Sequence, residues 1–416
     1  MLSKFTIHSV VFLGLTAFAV SVAVVFRNPL LVYTAVFMVT TNLLLYLWAQ
    51  QAVRGMRVRR SHGNLAVATQ PTEITLELTN ERRTARYGTL GFDLHAELTP
   101  GQDYTPVAFL VAPPGQGVQE SYSLTPMKRG VFKMGPFYLY GGDPFGFYKC
   151  WRRVDESTEI VVLPNPVDFS FTRPGSTSML AQDELETVPV SGDSTEFLGV
   201  REYIPGEPLR RVHWRTTARI GKLISRQYEL NVAAAISALV LVDGGMLAGS
   251  GSDTPLEYSL RMVASLGRAT QTARFHLSSL ALIGERFDAL AGTGRRFYQE
   301  LAVRLARLDG QGAVDWERHG RAILTYLPRS SSLLVFTAEL GESARERLRQ
   351  LAVHFRSMSV VTFNQASFER GKRPDVPGPR LSFGESYMIF EVFHGDNLSF
   401  VLDQLLAKPA VLRGRR

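Results

Sequence analysis

Two long apolar runs lie near the start of the chain and are separated by only three residues. Residues 9–26 and 30–49 contain no charged side chain, and Arg27-Asn28-Pro29 connects them. A helix needs about 20 residues to cross the roughly 30 Å hydrocarbon core of a bilayer. The pattern therefore predicts a transmembrane helical hairpin over residues 1–53.

The distribution of arginines predicts the orientation of this hairpin. The turn contains one arginine, whereas four follow the second run: Arg54, Arg57, Arg59 and Arg60. Because positively charged flanks stay in the cytoplasm, we expect two spans in the inner (cytoplasmic) membrane with both termini cytoplasmic. The alternative is a signal peptide, with Lys4 as its charged start and Ala17-Phe18-Ala19 as its cleavage site, followed by one span. That alternative also leaves the large C-terminal part in the cytoplasm.

Short alternating segments follow the hairpin. In residues 73–79 the side chains of Ile74, Leu76 and Leu78 share one face, which is typical of a half-buried strand. Similar runs are separated by proline and glycine and lie at residues 89–97, 106–111, 119–124, 130–140 and 159–163. Many strands without helices predict an immunoglobulin-like β-sandwich over residues 54–170.

One turn of this region has a distinctive composition. Asp143-Pro-Phe-Gly-Phe147 combines two residues that favour bends with two aromatic rings. We expect a structural turn in which Asp143 and Pro144 shape the bend and Phe145 fills the core.

The C-terminal part alternates between strand-like and helix-like segments. An apolar run at 235–242 is followed by residues 256–275, in which Leu260, Val263 and Leu266 have helical spacing. Further strands are predicted at 278–283, 332–337 and 359–363, and further helices at 297–308 and 343–355. This alternation predicts an α/β domain over residues 231–416, with a mostly parallel sheet covered by helices on both faces.

The segment between the two domains, residues 171–230, is predicted to be a linker followed by an arginine-rich motif. The motif contains one glutamate, two glycines, two aromatic residues and five arginines that we select as candidate functional residues: Glu196, Gly199, Arg201, Tyr203, Gly206, Arg210, Arg211, Trp214, Arg215 and Arg219. Pro208 suits a first helical position, so residues 209–219 are predicted to form a short helix.

Two interpretations of the arginines remain open. Five guanidinium groups offer many forked donors, which suits an interface that accepts carboxylates or phosphates from a partner. Alternatively, Arg201 and Arg210 form a buried network that joins the two domains, while Phe197, Tyr203 and Trp214 pack beneath it. His213 lacks a partner at a spacing that would make it a catalytic base, so we expect it to be structural.

The order of these landmarks resembles the signature of a bacterial family named only as a domain of unknown function, DUF fifty-eight. The strongest part is Glu196 to Arg219, and the Arg-Gly strand at 128–136 and the Asp-Pro-Phe-Gly turn are also similar. The resemblance implies a membrane-anchored cytoplasmic protein with a von Willebrand factor A-like domain, acting beside an AAA+ ATPase of the MoxR type. It implies an adaptor in assembly or chaperoning of envelope or metal-containing proteins, and no enzyme activity.

A von Willebrand factor A-like domain would suggest a loop that binds a divalent cation. The von Willebrand factor A fold holds a divalent cation with an Asp-x-Ser-x-Ser loop, and here the loop is Asp243-Gly-Gly-Met-Leu247. Both serine positions are lost, so Asp243 and Thr337 remain only as weak candidates for Mg²⁺, and we expect Asp243 to cap the following turn instead. The alternatives to an adaptor are a metal-dependent hydrolase centred on Asp243, or a scaffold with no ATPase partner.

Composition limits the remaining function classes. The 416 residues are 45% hydrophobic and carry a formal charge of +8, and the single cysteine, Cys150, excludes an internal disulfide. The basic residues are dispersed among acidic ones, so we expect no nucleic acid partner. No Gly-x-x-x-x-Gly-Lys-Ser/Thr run is present, so we expect the chain not to hydrolyse ATP itself.

Overall fold

The structure is a computed structural model that describes residues 6–63, 65–169, 197–203, 212–228, 235–272, 276–283, 287–310, 314–329, 331–338, 340–372, 380–383 and 387–407. It begins with two antiparallel helices, α1 (Ile7–Phe26) and α2 (Pro29–Ala52). The Thr6 side chain caps α1 and the Asn28 side chain caps α2, so each helix starts at a polar residue. Both helices are long and apolar enough to cross a membrane.

The two helices contact each other through small and polar side chains. The buried residues of α1 are Ser9, Thr16 and Ala23, each seven residues apart, and α2 buries Ala35, Asn42 and Ala49 at the same spacing. Asn42 Nδ2 donates to Thr16 Oγ1 at 2.7 Å. The large apolar side chains point outward, as expected when lipid rather than protein surrounds a helix pair.

Within the described residues, the next domain contains ten strands: β1 (Met56–His62), β2 (Leu65–Val67), β3 (Thr72–Asn80), β4 (Arg86–Leu94), β5 (Tyr104–Ala112), β6 (Gly117–Leu124), β7 (Gly130–Met134), β8 (Phe137–Gly142), β9 (Lys149–Val154) and β10 (Thr158–Leu163). They pair as β1-β3-β6, β5-β4-β8-β9 and β2-β10-β7. All pairs are antiparallel except that of β2 with β10. The predicted run at 130–140 is two strands, because Gly135-Pro136 interrupts it.

The core of this domain follows the predicted alternation. Ile74, Leu76 and Leu78 of β3 are fully buried, and their neighbours in the strand are partly exposed. Arg60 of β1 also points inward, where it forms a buried ion pair with Asp93. Tyr122 donates its hydroxyl to the same carboxylate at 2.7 Å, so the buried charges are bonded.

A small unit follows, consisting of β11 (Phe197–Glu202), α3 (Trp214–Ile220) and β12 (Ile224–Tyr228). After it comes the α/β domain: β13 (Ala235–Leu241), α4 (Pro255–Ala269), β14 (His276–Ile283), β15 (Phe287–Leu290), α5 (Gly294–Arg307), α6 (Trp316–Tyr326), β16 (Ser332–Thr337), α7 (Glu342–Ala352), β17 (Ser357–Phe363), α8 (Gln365–Arg370), β18 (Arg380–Phe383), β19 (Met388–Val392) and α9 (Leu398–Ala407).

The sheet of the α/β domain has the order β15-β14-β13-β16-β17-β19-β18. Its five inner strands are parallel, which confirms the prediction of a mostly parallel sheet, and the two edge strands are antiparallel. Alternate residues of β13 face opposite sides: Ala238 and Val240 pack with α4, α5 and α9, whereas Leu239 and Leu241 pack with α6 and α7. Helices therefore cover both faces.

The β domain and the α/β domain are in direct contact. The helix α5 lies against β10, and Ala302 and Ala306 pack with Leu163. A hydrogen bond of 2.8 Å from the backbone N–H of Val167 to Ser265 Oγ adds a second connection.

Candidate functional site

The arginine-rich motif forms a pair of antiparallel strands with a short helix between them. β11 pairs antiparallel with β12, so that Arg201 lies opposite Ser225. The N–H of Tyr203 donates to the carbonyl oxygen of Leu223 at 2.9 Å, which extends the pairing beyond the strand. The candidate residues Gly199 and Arg201 therefore lie on a paired strand, and Tyr203 follows it. Four others lie outside the described residues: Glu196, Gly206, Arg210 and Arg211.

The helix α3 has a defined start and end. The N–H of Thr216 donates to Nδ1 of His213 at 3.2 Å, so His213 acts as the N-cap, in agreement with its predicted structural role. Gly221 ends the helix with a φ of 72°, a left-handed conformation that glycine adopts without steric cost. Within the described residues the helix starts at Trp214, five residues after the predicted start at 209.

The side chains of α3 are exposed. The side chain of Trp214 is 60% exposed, and Arg215 and Arg219, four residues apart, are exposed as well. Residues four apart share a face of a helix, so the two guanidinium groups lie on the same side of α3. The 60% exposure of Trp214 disagrees with the interpretation in which this ring packs beneath a buried network, and Arg210 of that network lies outside the described residues.

The second candidate region is the edge of the sheet where the parallel strands end. Asp243 follows β13 and Thr337 ends β16, and these strands are neighbours. Thr337 Oγ1 donates to one carboxylate oxygen of Asp243 at 3.4 Å, and the other oxygen accepts the N–H of Gly245 at 3.1 Å. The structure therefore brings the two predicted residues together, and it confirms that Asp243 caps the following turn.

These residues do not fit a divalent cation. The position of the first lost serine is Gly245, and a Cβ there would lie 2.1 Å from Nε2 of Gln365. Leu247, at the second lost position, offers no oxygen. In the part of the chain that the structure describes, no group of three or more His, Cys, Asp and Glu side chains is close enough to hold a metal. One carboxylate and one hydroxyl bonded to each other are too few ligands for Mg²⁺.

A buried ion pair joins the two domains. One member belongs to the Arg-Gly strand at 128–136, and its partner on α4 was not predicted from the sequence. Arg129, which precedes β7, lies 3.2 Å from Glu257 of α4 through Nε and Oε2, and both side chains are about 5% exposed. Arg129 Nη1 donates to the carbonyl oxygens of Leu305 and Leu308 at 2.8 and 3.0 Å. The cation therefore lies at the negative end of the α5 dipole.

Burial affects both members of this pair. Loss of solvation lowers the pKa of the Arg129 guanidinium and raises the pKa of the Glu257 carboxyl, and in each case the opposite charge of the partner acts against the shift. Thr254 caps α4 three residues before Glu257, a spacing that normally indicates a local capping box. The capping spacing alone therefore does not indicate that Glu257 also forms a long-range contact with Arg129.

Comparisons with known proteins place the chain in no family. No protein-family model matches the sequence, and no curated protein matches it. The CARDB domain of a Pyrococcus furiosus protein is 10% identical, with a TM-score of 0.20, over 26% of this chain and 87% of that domain. The PKD domain of an M14-like peptidase from a Thermoplasmatales archaeon is 15% identical, with a TM-score of 0.16, over 25% of this chain and 91% of that domain. Similarities of this size assign no activity.

Proposed function

We propose that the protein is a membrane-anchored cytoplasmic adaptor that recruits an AAA+ ATPase of the MoxR type through α3. The observation that carries the proposal is the exposure of α3: Trp214 at its first position is 60% exposed, and Arg215 and Arg219 share an exposed side of the helix. Tryptophan and arginine are the residue types that contribute most to binding at protein interfaces. Two guanidinium groups on one side favour an acidic surface on the partner.

The anchor in this proposal is the α1–α2 hairpin. Large apolar side chains such as Phe18, Phe37 and Trp48 are 59% to 69% exposed, which water would not favour in a stable protein. The arginines that follow α2 favour an orientation with both domains in the cytoplasm.

The α/β domain would then hold the client or the ATPase in a fixed orientation. We propose a von Willebrand factor A-like domain on two grounds: the parallel strands lie between helices, and Asp243 and Thr337 meet where β13 and β16 end. In open α/β sheets, binding sites occur outside the carboxyl ends of neighbouring strands. In this chain the hydrogen bond between Thr337 and Asp243 has a structural role at that edge of the sheet.

The test is co-purification from the native membrane after mild crosslinking. The full chain should retain an AAA+ ATPase, and Arg215→Glu/Arg219→Glu should lose most of it because both charges facing the acidic partner are reversed. The matched control is Arg345→Glu/Arg349→Glu, which reverses two exposed arginines of the same spacing on α7. Equal recovery with both double variants, or no ATPase with the unmodified chain, would contradict the proposal.

A further inference from the structure

One end of the sheet β5-β4-β8-β9 lies against the helical hairpin. The turn between β8 and β9 reaches both helices: Thr6 Oγ1 donates to the carbonyl oxygen of Phe147 at 2.7 Å, and the Tyr148 hydroxyl donates to Asn42 Oδ1 at 2.6 Å. At the end of β8, a Cβ on Gly141 would lie 2.9 Å from the Cβ of Ala52. The position of this sheet relative to the hairpin is therefore fixed by direct contacts.

The turn between β8 and β9 exposes the side chain of Phe145. The carboxylate of Asp143 accepts the N–H of Phe145 at 2.9 Å, and the N–H of Gly146 donates to the Asp143 carbonyl at 3.1 Å. Phe145 itself is 74% exposed. The expectation that Phe145 fills the core is wrong, because the hairpin occupies the inner side of the turn through Phe147 and Tyr148 instead.

Other exposed apolar side chains lie at the same end of the sheet. The pairing of β4 with β8 ends at Leu90 and Tyr140, so Tyr87 and Asp143 both lie beyond this same end of the ladder, and Tyr87 pairs with Val111 of β5. Tyr87 is 70% exposed and Leu110 is 77% exposed. We refer to Tyr87, Leu110, Val111 and Phe145 as the apolar rim.

Positive charges accompany the apolar rim. Arg54 is exposed directly after α2, and Gly55 is in contact with the Arg82 side chain in the loop between β3 and β4. Arg82 and its neighbour Arg83 are both exposed. These three arginines lie where the second helix leaves the membrane in the proposed topology. Each basic residue near an anionic bilayer surface favours binding by about fivefold.

The length of the hairpin places the rim at the membrane surface. The 20 residues of α1 extend about 30 Å, which equals the thickness of the hydrocarbon core. Thr6 precedes this helix and therefore lies at its cytoplasmic boundary. Because Thr6 bonds to the turn that carries Phe145, that side chain lies at the same level.

We propose that the apolar rim lies in the headgroup region of the bilayer and that Arg54, Arg82 and Arg83 bind anionic lipid headgroups beside it. The occupant of this surface is lipid because the surface is continuous with the hairpin and combines aromatic and basic side chains, as membrane interfaces do. The inference rests on the membrane anchor of the proposed function. It makes the β domain part of the anchor and fixes its angle to the membrane.

The test uses the full chain with Cys150→Ala, so that one introduced cysteine carries an environment-sensitive NBD label. The label is placed at Phe145→Cys in the rim, at Phe18→Cys within α1, or at Met127→Cys, an exposed position near the opposite end of the β domain. Each protein is reconstituted in nanodiscs of phosphatidylethanolamine with phosphatidylglycerol, or of phosphatidylcholine alone. Aqueous dithionite then quenches every label that water reaches.

We expect blue-shifted emission and slow quenching at position 18, fast quenching without a blue shift at 127, and an intermediate result at 145, where emission is blue-shifted and quenching is slower than at 127. Emission and quenching at 145 equal to those at 127, with slow quenching at 18, would overturn the inference and leave the anchor intact, whereas fast quenching at 18 would overturn both. The protection at 145 should be weaker in phosphatidylcholine and in Arg82→Glu/Arg83→Glu, and equal protection in all lipids would overturn the headgroup contact.

A label at a second rim position tests the role of Phe145 without replacing Phe145 by the labelled cysteine. In a chain labelled at Leu110→Cys, Phe145→Asp should shift the equilibrium from the membrane-inserted rim toward the free rim by roughly tenfold or more. The reason is that a phenylalanine side chain buried in the bilayer is lost. The exposed position of Phe145 makes this substitution compatible with folding. Unchanged protection of the label at 110 would overturn the role of Phe145.

Discussion

A buried ion pair lies in the contact between the β domain and the α/β domain. The Arg129 guanidinium is buried, and its positive charge is compensated by the Glu257 carboxylate and by two carbonyl oxygens at the end of α5. Burial of such a pair contributes little net stability, but removal of one member leaves the other charge buried and uncompensated. The pair therefore fixes the geometry of the contact more than it adds free energy.

Arg129→Met should destabilise the chain by about 3–5 kcal/mol because Glu257 loses its counter-charge. The addition of Glu257→Leu should recover most of the loss. Thermal unfolding of the full chain in detergent, with hydrogen exchange of α5, measures both effects. The control Arg268→Met removes an exposed pair with Asp168 and should cost less than about 1 kcal/mol. An equal loss in the control would contradict the account.

A buried histidine should make the β domain sensitive to acid. The ring of His95 bonds to Thr99 and Thr105 at 2.7 and 2.8 Å, and burial lowers the pKa of its imidazole. A lowered folded pKa means that the stabilisation is complete above about pH 6.5, the ordinary value, and is lost as the pH falls through the folded value. Melting temperatures between pH 7.5 and pH 5 should fall more for the unmodified chain than for His95→Gln. Equal slopes would show that another group is responsible.

At the scale of elements, two helical glycines have opposite surroundings. A Cβ on Gly267 of α4 would lie 2.2 Å from Cδ2 of Leu301 on α5, whereas a Cβ on Gly320 of α6 would meet no atom within 4 Å. Gly267 therefore permits the close packing of two helices, and Gly320 has no such role.

Alanine substitution should separate these two cases. Gly267→Ala should destabilise the α/β domain by about 1–3 kcal/mol because the buried Leu301 side chain must move. Gly320→Ala should stabilise it by roughly 0.5–1 kcal/mol because the unfolded chain loses backbone freedom. Chemical denaturation of the two variants measures the difference, and effects of the same sign would contradict the packing of α4 on α5.

The sequence predicted those elements whose burial pattern is regular. β3 and the parallel strands β13, β16 and β17 were predicted because their apolar positions alternate or run continuously. β1 was missed because its inward position 60 is an arginine, whose burial depends on Asp93 more than thirty residues later. The edge strands β15 and β18 are short, and their pairing depends on neighbours that the sequence pattern does not specify.

The candidate site was predicted in part, for similar reasons. Thr337 was a candidate only through the resemblance to the von Willebrand factor A fold; in the structure it approaches Asp243 because β13 and β16 are neighbouring parallel strands whose carboxyl ends share one edge. The exposure of Trp214 did not follow from the sequence, because an aromatic residue in a motif fits a core and an interface equally well. The partners of Arg129 were not predicted because they come from α4 and α5, which only the tertiary fold brings together.

At the scale of the whole molecule, three features are arranged in sequence along one chain. The hairpin contacts the β domain through the turn at Tyr148, and the β domain contacts the α/β domain through Arg129. The arginine-rich motif with α3 exposes Trp214 and two arginines. In the proposed adaptor these contacts fix the orientation of the β domain and the α/β domain relative to the membrane.

The central claim is that α3 binds an AAA+ ATPase, and site-specific photo-crosslinking in native membranes tests it most directly. A benzoylphenylalanine at Trp214 replaces a ring that is 60% exposed, and one at Tyr326 on α6 provides a matched position that is 59% exposed. The account predicts a crosslink to an AAA+ ATPase of the MoxR type from position 214 and none from position 326. Crosslinks from 214 to lipid or to unrelated proteins alone, or equal ATPase crosslinks from both positions, would contradict it.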